Sequence, residues 1–156
     1  ILQGGSGEVL DEESRKSFNL NAKKMIEQIE NSGAEALLYM IHAYVPPHEL
    51  YDPKMIEKIR YTYLKAANDY DAMVAPIGIA YMNAYKANPD IKLHKFFDGT
   101  HPNILGTYLS ACVLYATIFK KPSSEVQYNY FGAISNEDQK FLQKIADETV
   151  KEFFKR

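Results

Sequence analysis

The stretch FFDGTHPNILGTYLSACVLYATIF, Phe96 to Phe119, holds the residues whose types and spacing bear most directly on chemistry. Asp98 and His101 stand at i and i+3, with Gly99 between them and Pro102 directly after. Three readings fit. In the first, Asp98-Gly99 is a turn and Thr100 or His101 caps the helix that begins near Asn103. In the second, His94, Asp98 and His101 stand at i, i+4 and i+7 and would ligate zinc from one helical face. Gly99 and Pro102 both oppose helix across that segment. In the third, the Asp98 carboxylate reaches His101 Nδ1, fixes the tautomer and stabilises the imidazolium, while Nε2 faces a nucleophile across a cleft.

Any of these needs elements that bring the loop to a cleft. Phe18, Ala22, Met25, Ile26 and Ile29 recur at helical spacing and predict a helix from about Asp11 to Asn31, stopped at Asn31-Ser32-Gly33. AEALLYMIHAYV is a continuous apolar run with the pattern of a strand buried on both faces. Asp52-Pro53 predicts an N-cap and first helical residue for a helix that buries Ile56, Ile59, Tyr63 and Ala67. AMVAPIG reads as a second buried strand ending at Pro76, and IAYMNAYKANP as a short helix ending near Asn88-Pro89. Leu105, Tyr108, Leu109, Cys112, Val113 and Ala116 mark the next helix. A polar, aromatic loop from Pro122 to Ile134 follows it. Ser135 and Asp138 then form a capping box for a last helix, with Leu142, Ile145, Ala146, Thr149, Val150 and Phe153 on one side.

ILQGG at the start reads as a further strand entered midway. Alternating strands and helices imply a parallel sheet with right-handed crossovers and helices on both faces. Three strands make a thin sheet, so at least one earlier strand is expected before Ile1. In such sheets the working cleft lies beyond the carboxyl ends of the strands, where the Asp98–His101 loop would emerge.

With 156 residues the chain suits one domain, able to bury roughly two-thirds of its unfolded surface. Its net charge of -2 and dispersed lysines leave no phosphate-backbone footprint, which argues against nucleic acid as a partner. No apolar run reaches the roughly 18 residues of a membrane span. The lone Cys112 sits in an apolar helical run and reads as a buried thiol.

DGTHPNILGTYLSACVLYATIF resembles the last block of SGNH (GDSL-type) esterases, in which an aspartate and a histidine three positions later precede a proline, a glycine and a helix. ILQGGS, ALLYMIHAY and VAPIGIAYMNAY, with their intervening helices, follow the order of the second half of that fold, particularly in a bacterial branch. The resemblance covers about Ile1 to Pro122. It implies a three-layer α/β/α, flavodoxin-like parallel sheet lacking its N-terminal strands. It also implies a serine esterase that needs no metal or organic cofactor and acts on small acyl esters of carbohydrates.

By that resemblance His101 is the general base and Asp98 its orienting acid. The serine block is not in this chain, so the nucleophile is expected upstream or from a second chain that completes the sheet. LQGGSGE stands where the family carries its Gly-x-Asn-Asp block, or a Gln-Gly-Glu variant in some carbohydrate esterases, so the resemblance implies that Gln3, Gly4 and Gly5 line the oxyanion hole. The family's asparagine is missing there, and the Gln3 amide or a glycine N–H would replace it. Ser6 reads as part of a flexible turn. His42 borders the cleft or is a packed histidine, and His48, Tyr39, Tyr44 and Tyr81 would shape an acyl or sugar pocket. An upstream signal peptide would imply secretion or the cell envelope. The rival class is a non-catalytic α/β binding or scaffold module, in which DGTHP is only a helix entrance.

Overall fold

The computed structural model describes residues 1–155. Helix α1 (Glu12–Asn31) begins where the sequence predicts, because Asp11 Oδ1 accepts from Ser14 N at 2.8 Å. Glu12 and Glu13 place negative charge at its positive end. Strands β1 (Leu37–Tyr39) and β2 (Met73–Ala75) are parallel and are joined by the crossover helix α2 (Met55–Tyr70). Side chains alternate across them. Leu37 and Ala75 enter a core built with α3 (Ile77–Ala87), α4 (Ile104–Phe119) and α5 (Asn136–Phe153). Leu38, Met40 and Val74 enter a second core with α1 and α2. The described residues therefore form a mixed α/β fold, mostly helical, with helices against both faces of a two-stranded parallel sheet.

The strands are shorter than their apolar runs, and the helices set the limits. Asp71 closes α2 in a left-handed conformation (φ 51°), and Pro76, which has no N–H to donate, caps α3. Only Met73 to Ala75 remain between them. Met40 N still donates to Ala75 O, but Met40 O accepts from Gly78 in α3, so β1 loses its partner. The expected third strand is reduced to one parallel bridge, Leu2 to Leu38, because Gly4 and Gly5 come two and three residues later and a short helical turn starts at Ser6.

Two predicted caps move. Helix α2 starts at Met55, and Asp52 instead organises the turn before it, accepting from Lys54 N and from Lys58 Nζ. Neither Thr100 nor His101 caps α4. Asn103 does, its Oδ1 accepting from Leu105 N at 2.9 Å and Gly106 N at 3.1 Å, while its Nδ2 donates to Lys92 O at 2.7 Å. Asn103→Ala is expected to cost about 1–2 kcal/mol. Urea unfolding would register the loss, and faster amide exchange at Leu105 and Gly106 would locate it. An unchanged midpoint would mean that the cap holds nothing. Ser135 caps α5 as predicted, accepting from Asp138 N at 3.0 Å.

Candidate active site

The loop from Lys95 to Pro102 is closed at its neck by an antiparallel bridge between His94 and Pro102. Lys95 N donates to His101 O at 2.8 Å, and Asn103 N donates to Leu93 O at 2.9 Å. The loop is pinned onto the segment that leaves β1, where Val45 N donates to Gly99 O at 2.9 Å. Gly99 has φ +64°, and a Cβ there would lie 2.0 Å from Val45 O. Only glycine satisfies both the left-handed backbone and the close approach.

Within this loop the acid and imidazole meet. His101 Nδ1 lies 2.9 Å from Asp98 Oδ2, and since an ionised carboxylate only accepts, Nδ1 carries the proton. Asp98 Oδ1 accepts from Thr100 N at 2.9 Å and His101 N at 3.0 Å. Those backbone donors, Thr100 first, hold the Asp98 carboxyl down at about 2. The acid is mostly covered and its partner open, with side-chain exposures of 22% and 69%. Nε2 of His101 has no protein partner among the described residues and presents the ring position a general base uses.

Behind the loop lies a buried histidine pair that joins residues far apart in sequence. Tyr85 OH accepts from Leu93 N and is hydrogen-bonded to His94 Nδ1 at 2.6 Å. His94 Nε2 lies 3.0 Å from His42 Nδ1, one of the two rings donating to the other. His42 also stacks on Tyr81, with ring centroids 4.6 Å apart. His42 is 4% exposed and His94 5%. Burial pushes His42 down to about 3 and His94 to about 4, so both are neutral.

This burial has a pH consequence. Both folded-state values lie below the ordinary imidazole value of 6.5, so below 6.5 the unfolded chain binds more protons and stability is lost as the pH drops. The window runs from 6.5 down to about 4, with about 1.4 kcal/mol lost per unit for each histidine. Urea unfolding should give a protein about 4 kcal/mol less stable at pH 5 than at pH 7. A flat profile would contradict the neutral pair.

The other predicted residues divide. Ser6 is buried and its hydroxyl donates to His42 O at 2.8 Å, so it is tied to the backbone. Gly4 N–H donates to Tyr63 OH at 3.1 Å, while Gln3 and Gly5 are exposed. Tyr39 and Tyr81 both reach Ser110 Oγ, and Tyr44 stacks on His48 with centroids 3.7 Å apart. His94 is committed to Tyr85 and His42, and no three His, Cys, Asp or Glu side chains gather as a metal cluster among the described residues. Cys112 is buried, and burial pushes its thiol up to about 11. Among the described residues no helix is long and apolar enough to cross a membrane.

No pattern in the sequence marks the Tyr85–His94–His42 chain, whose two histidines stand 52 residues apart. A groove of ≈ 650 Å³ runs beside it, lined by His94, Tyr81 and Tyr85 and bordered by Val45, Lys95 and Phe96 of the pinned segments.

No family model matches the chain, and no curated protein matches it. The crystal structure of a DUF4886 family protein from Bacteroides uniformis is similar, with a TM-score of 0.79 over 94% of this chain at 18% identity. The chain spans 59% of that protein's length, and at this identity the likeness shows a shared fold.

Proposed function

We propose that the chain is part of an SGNH-type serine esterase, on a three-layer α/β/α flavodoxin-like parallel sheet, that hydrolyses small acyl esters, acetyl included, of carbohydrates. One observation carries the reading: His101 Nδ1 held at 2.9 Å by an Asp98 carboxylate that two backbone N–H groups also fix. A serine from outside residues 1–156, upstream or on a second chain, attacks the acyl carbonyl. His101 Nε2 takes its proton and returns it to the leaving alcohol, and a water deprotonated by the same nitrogen releases the acid.

The developing oxyanion needs N–H donors. Gly4 N–H is engaged by Tyr63, so the donors in this reading are Gly5 N–H, the Gln3 amide and the neutral His42 ring. A neutral imidazole serves as such a donor without adding a second base. The chemistry calls for no metal or organic cofactor.

One observation favours the rival, a non-catalytic binding module: among the described residues no hydroxyl or thiol bonds His101 Nε2. Hydrolysis of p-nitrophenyl acetate by the chain with its upstream sequence separates the two. The esterase reading expects turnover that His101→Ala removes. Equal rates in both proteins, or no turnover in either, would leave the binding module.

A further inference from the structure

We infer that the ≈ 650 Å³ groove beside the His42–His94 pair binds an anionic sugar, an oligosaccharide carrying uronic acid carboxylates. The inference deepens the esterase reading by naming a substrate class, and rests on it only for the statement that this ligand is turned over. Binding itself follows from the groove.

Three lysines line the groove, Lys86, Lys92 and Lys95, all exposed. Among the described residues none of them has an ion-pair partner. Lys95 Nζ lies only over the ring of Phe97, 5.8 Å from its centroid. One carboxylate lines the same groove, that of Asp52, and it is held by Lys58 at 2.9 Å. His94, the other titratable nitrogen in the wall, is neutral through burial. The groove therefore presents uncompensated positive charge in a chain whose net charge is -2. Negative charge is what it attracts.

The rest of the lining narrows the class. Tyr51 is 45% exposed and Phe96 89%, and both face the groove. Exposed rings beside free cations offer apolar faces to a ligand that is itself hydroxylated and charged, a combination that a sugar acid satisfies. Phosphate fits less well. Its tight sites add to a lysine the free N–H groups of a helix start or a guanidinium fork. No arginine lines the groove, and at the start of α2 Lys54 N and Met55 N both donate to Asp52. The lysines stand as separate point charges, which suits carboxylates spaced along a chain. The groove also shares Lys95 and Phe96 with the Asp98–His101 loop, so a sugar bound there would lie against that loop.

Calorimetric titration of the protein with trigalacturonic acid, maltotriose and inorganic phosphate tests this without any turnover. Trigalacturonic acid is expected to bind, maltotriose not to, and the dissociation constant to rise about tenfold in the Lys86→Ala and Lys92→Ala proteins. Both substitutions are on exposed side chains and leave the fold intact. His101→Ala should bind as the parent does. Equal binding of maltotriose, phosphate binding as tight as trigalacturonate, insensitivity to both lysine substitutions, or no binding of trigalacturonate would each overturn the inference. Binding as expected by a protein whose extended form hydrolyses no ester would sink the esterase reading and leave the groove's ligand in place.

Discussion

Asp98→Asn is expected to lower ester turnover by about 10⁴-fold, with KM little changed, in the chain that includes the nucleophile. The geometry explains why so small a change should have so large an effect. Asp98 Oδ1 accepts from the backbone of Thr100 and His101, and an asparagine carbonyl would keep both bonds and with them the loop. Only the second oxygen changes. An amide NH₂ in the place of Oδ2 would donate to His101 Nδ1, force that nitrogen to accept, and move the proton to Nε2. The imidazole would then have no lone pair for the serine. Nitrogen-15 shifts of the His101 ring would report the exchange of tautomers directly. Turnover within tenfold of the parent would show that Asp98 does not set the state of His101.

Gly99→Ala is expected to act on the same pair through the fold. A methyl group there would sit 2.0 Å from Val45 O and 3.0 Å from His48 N, at a backbone φ of +64°. Neither neighbour is a flexible side-chain tip, so either the loop lifts off or the segment after β1 moves. The expected cost is about 3 kcal/mol, a fall in Tm of roughly 10 °C for a chain of this size. The His101 Nδ1–H···Asp98 bond should be lost together with the Val45–Gly99 bond. A Tm within a degree or two of the parent would mean that the loop is not pinned as described.

How far each feature could be read from sequence follows from how local its causes are. The Asp98–His101 pair was legible because the turn glycine, the acid and the imidazole all lie within four consecutive positions. The α1 and α5 starts were legible for the same reason, each resting on one residue and the N–H three positions on. The Asn103 cap was misplaced by a few positions because Thr100, His101 and Asn103 are all plausible from type alone. What decides is the Nδ2 bond to Lys92 O, 11 residues away.

Strand lengths were overestimated because an apolar run shows burial and not pairing. Met40, Ile41 and His42 are as buried as β1 but lie beyond the point where α3 removes their partner. The His42–His94 contact spans 52 residues and has no pattern in the chain. The groove's charge was equally hidden, since Lys86, Lys92 and Lys95 look like ordinary solvated lysines until α3 and the following loop wrap them around one cavity.

The most direct test of the central claim, that Asp98 and His101 form the acid and base of a serine esterase, is labelling with a fluorophosphonate serine probe followed by peptide mass spectrometry. It would be applied to residues 1–156, to the chain extended upstream, and to the extended chain carrying His101→Ala. A labelled serine outside residues 1–156 is expected, in the extended chain only, and is lost with His101. Labelling that survives His101→Ala, labelling of Ser6 in the short chain, or no labelling in any of the three would contradict it.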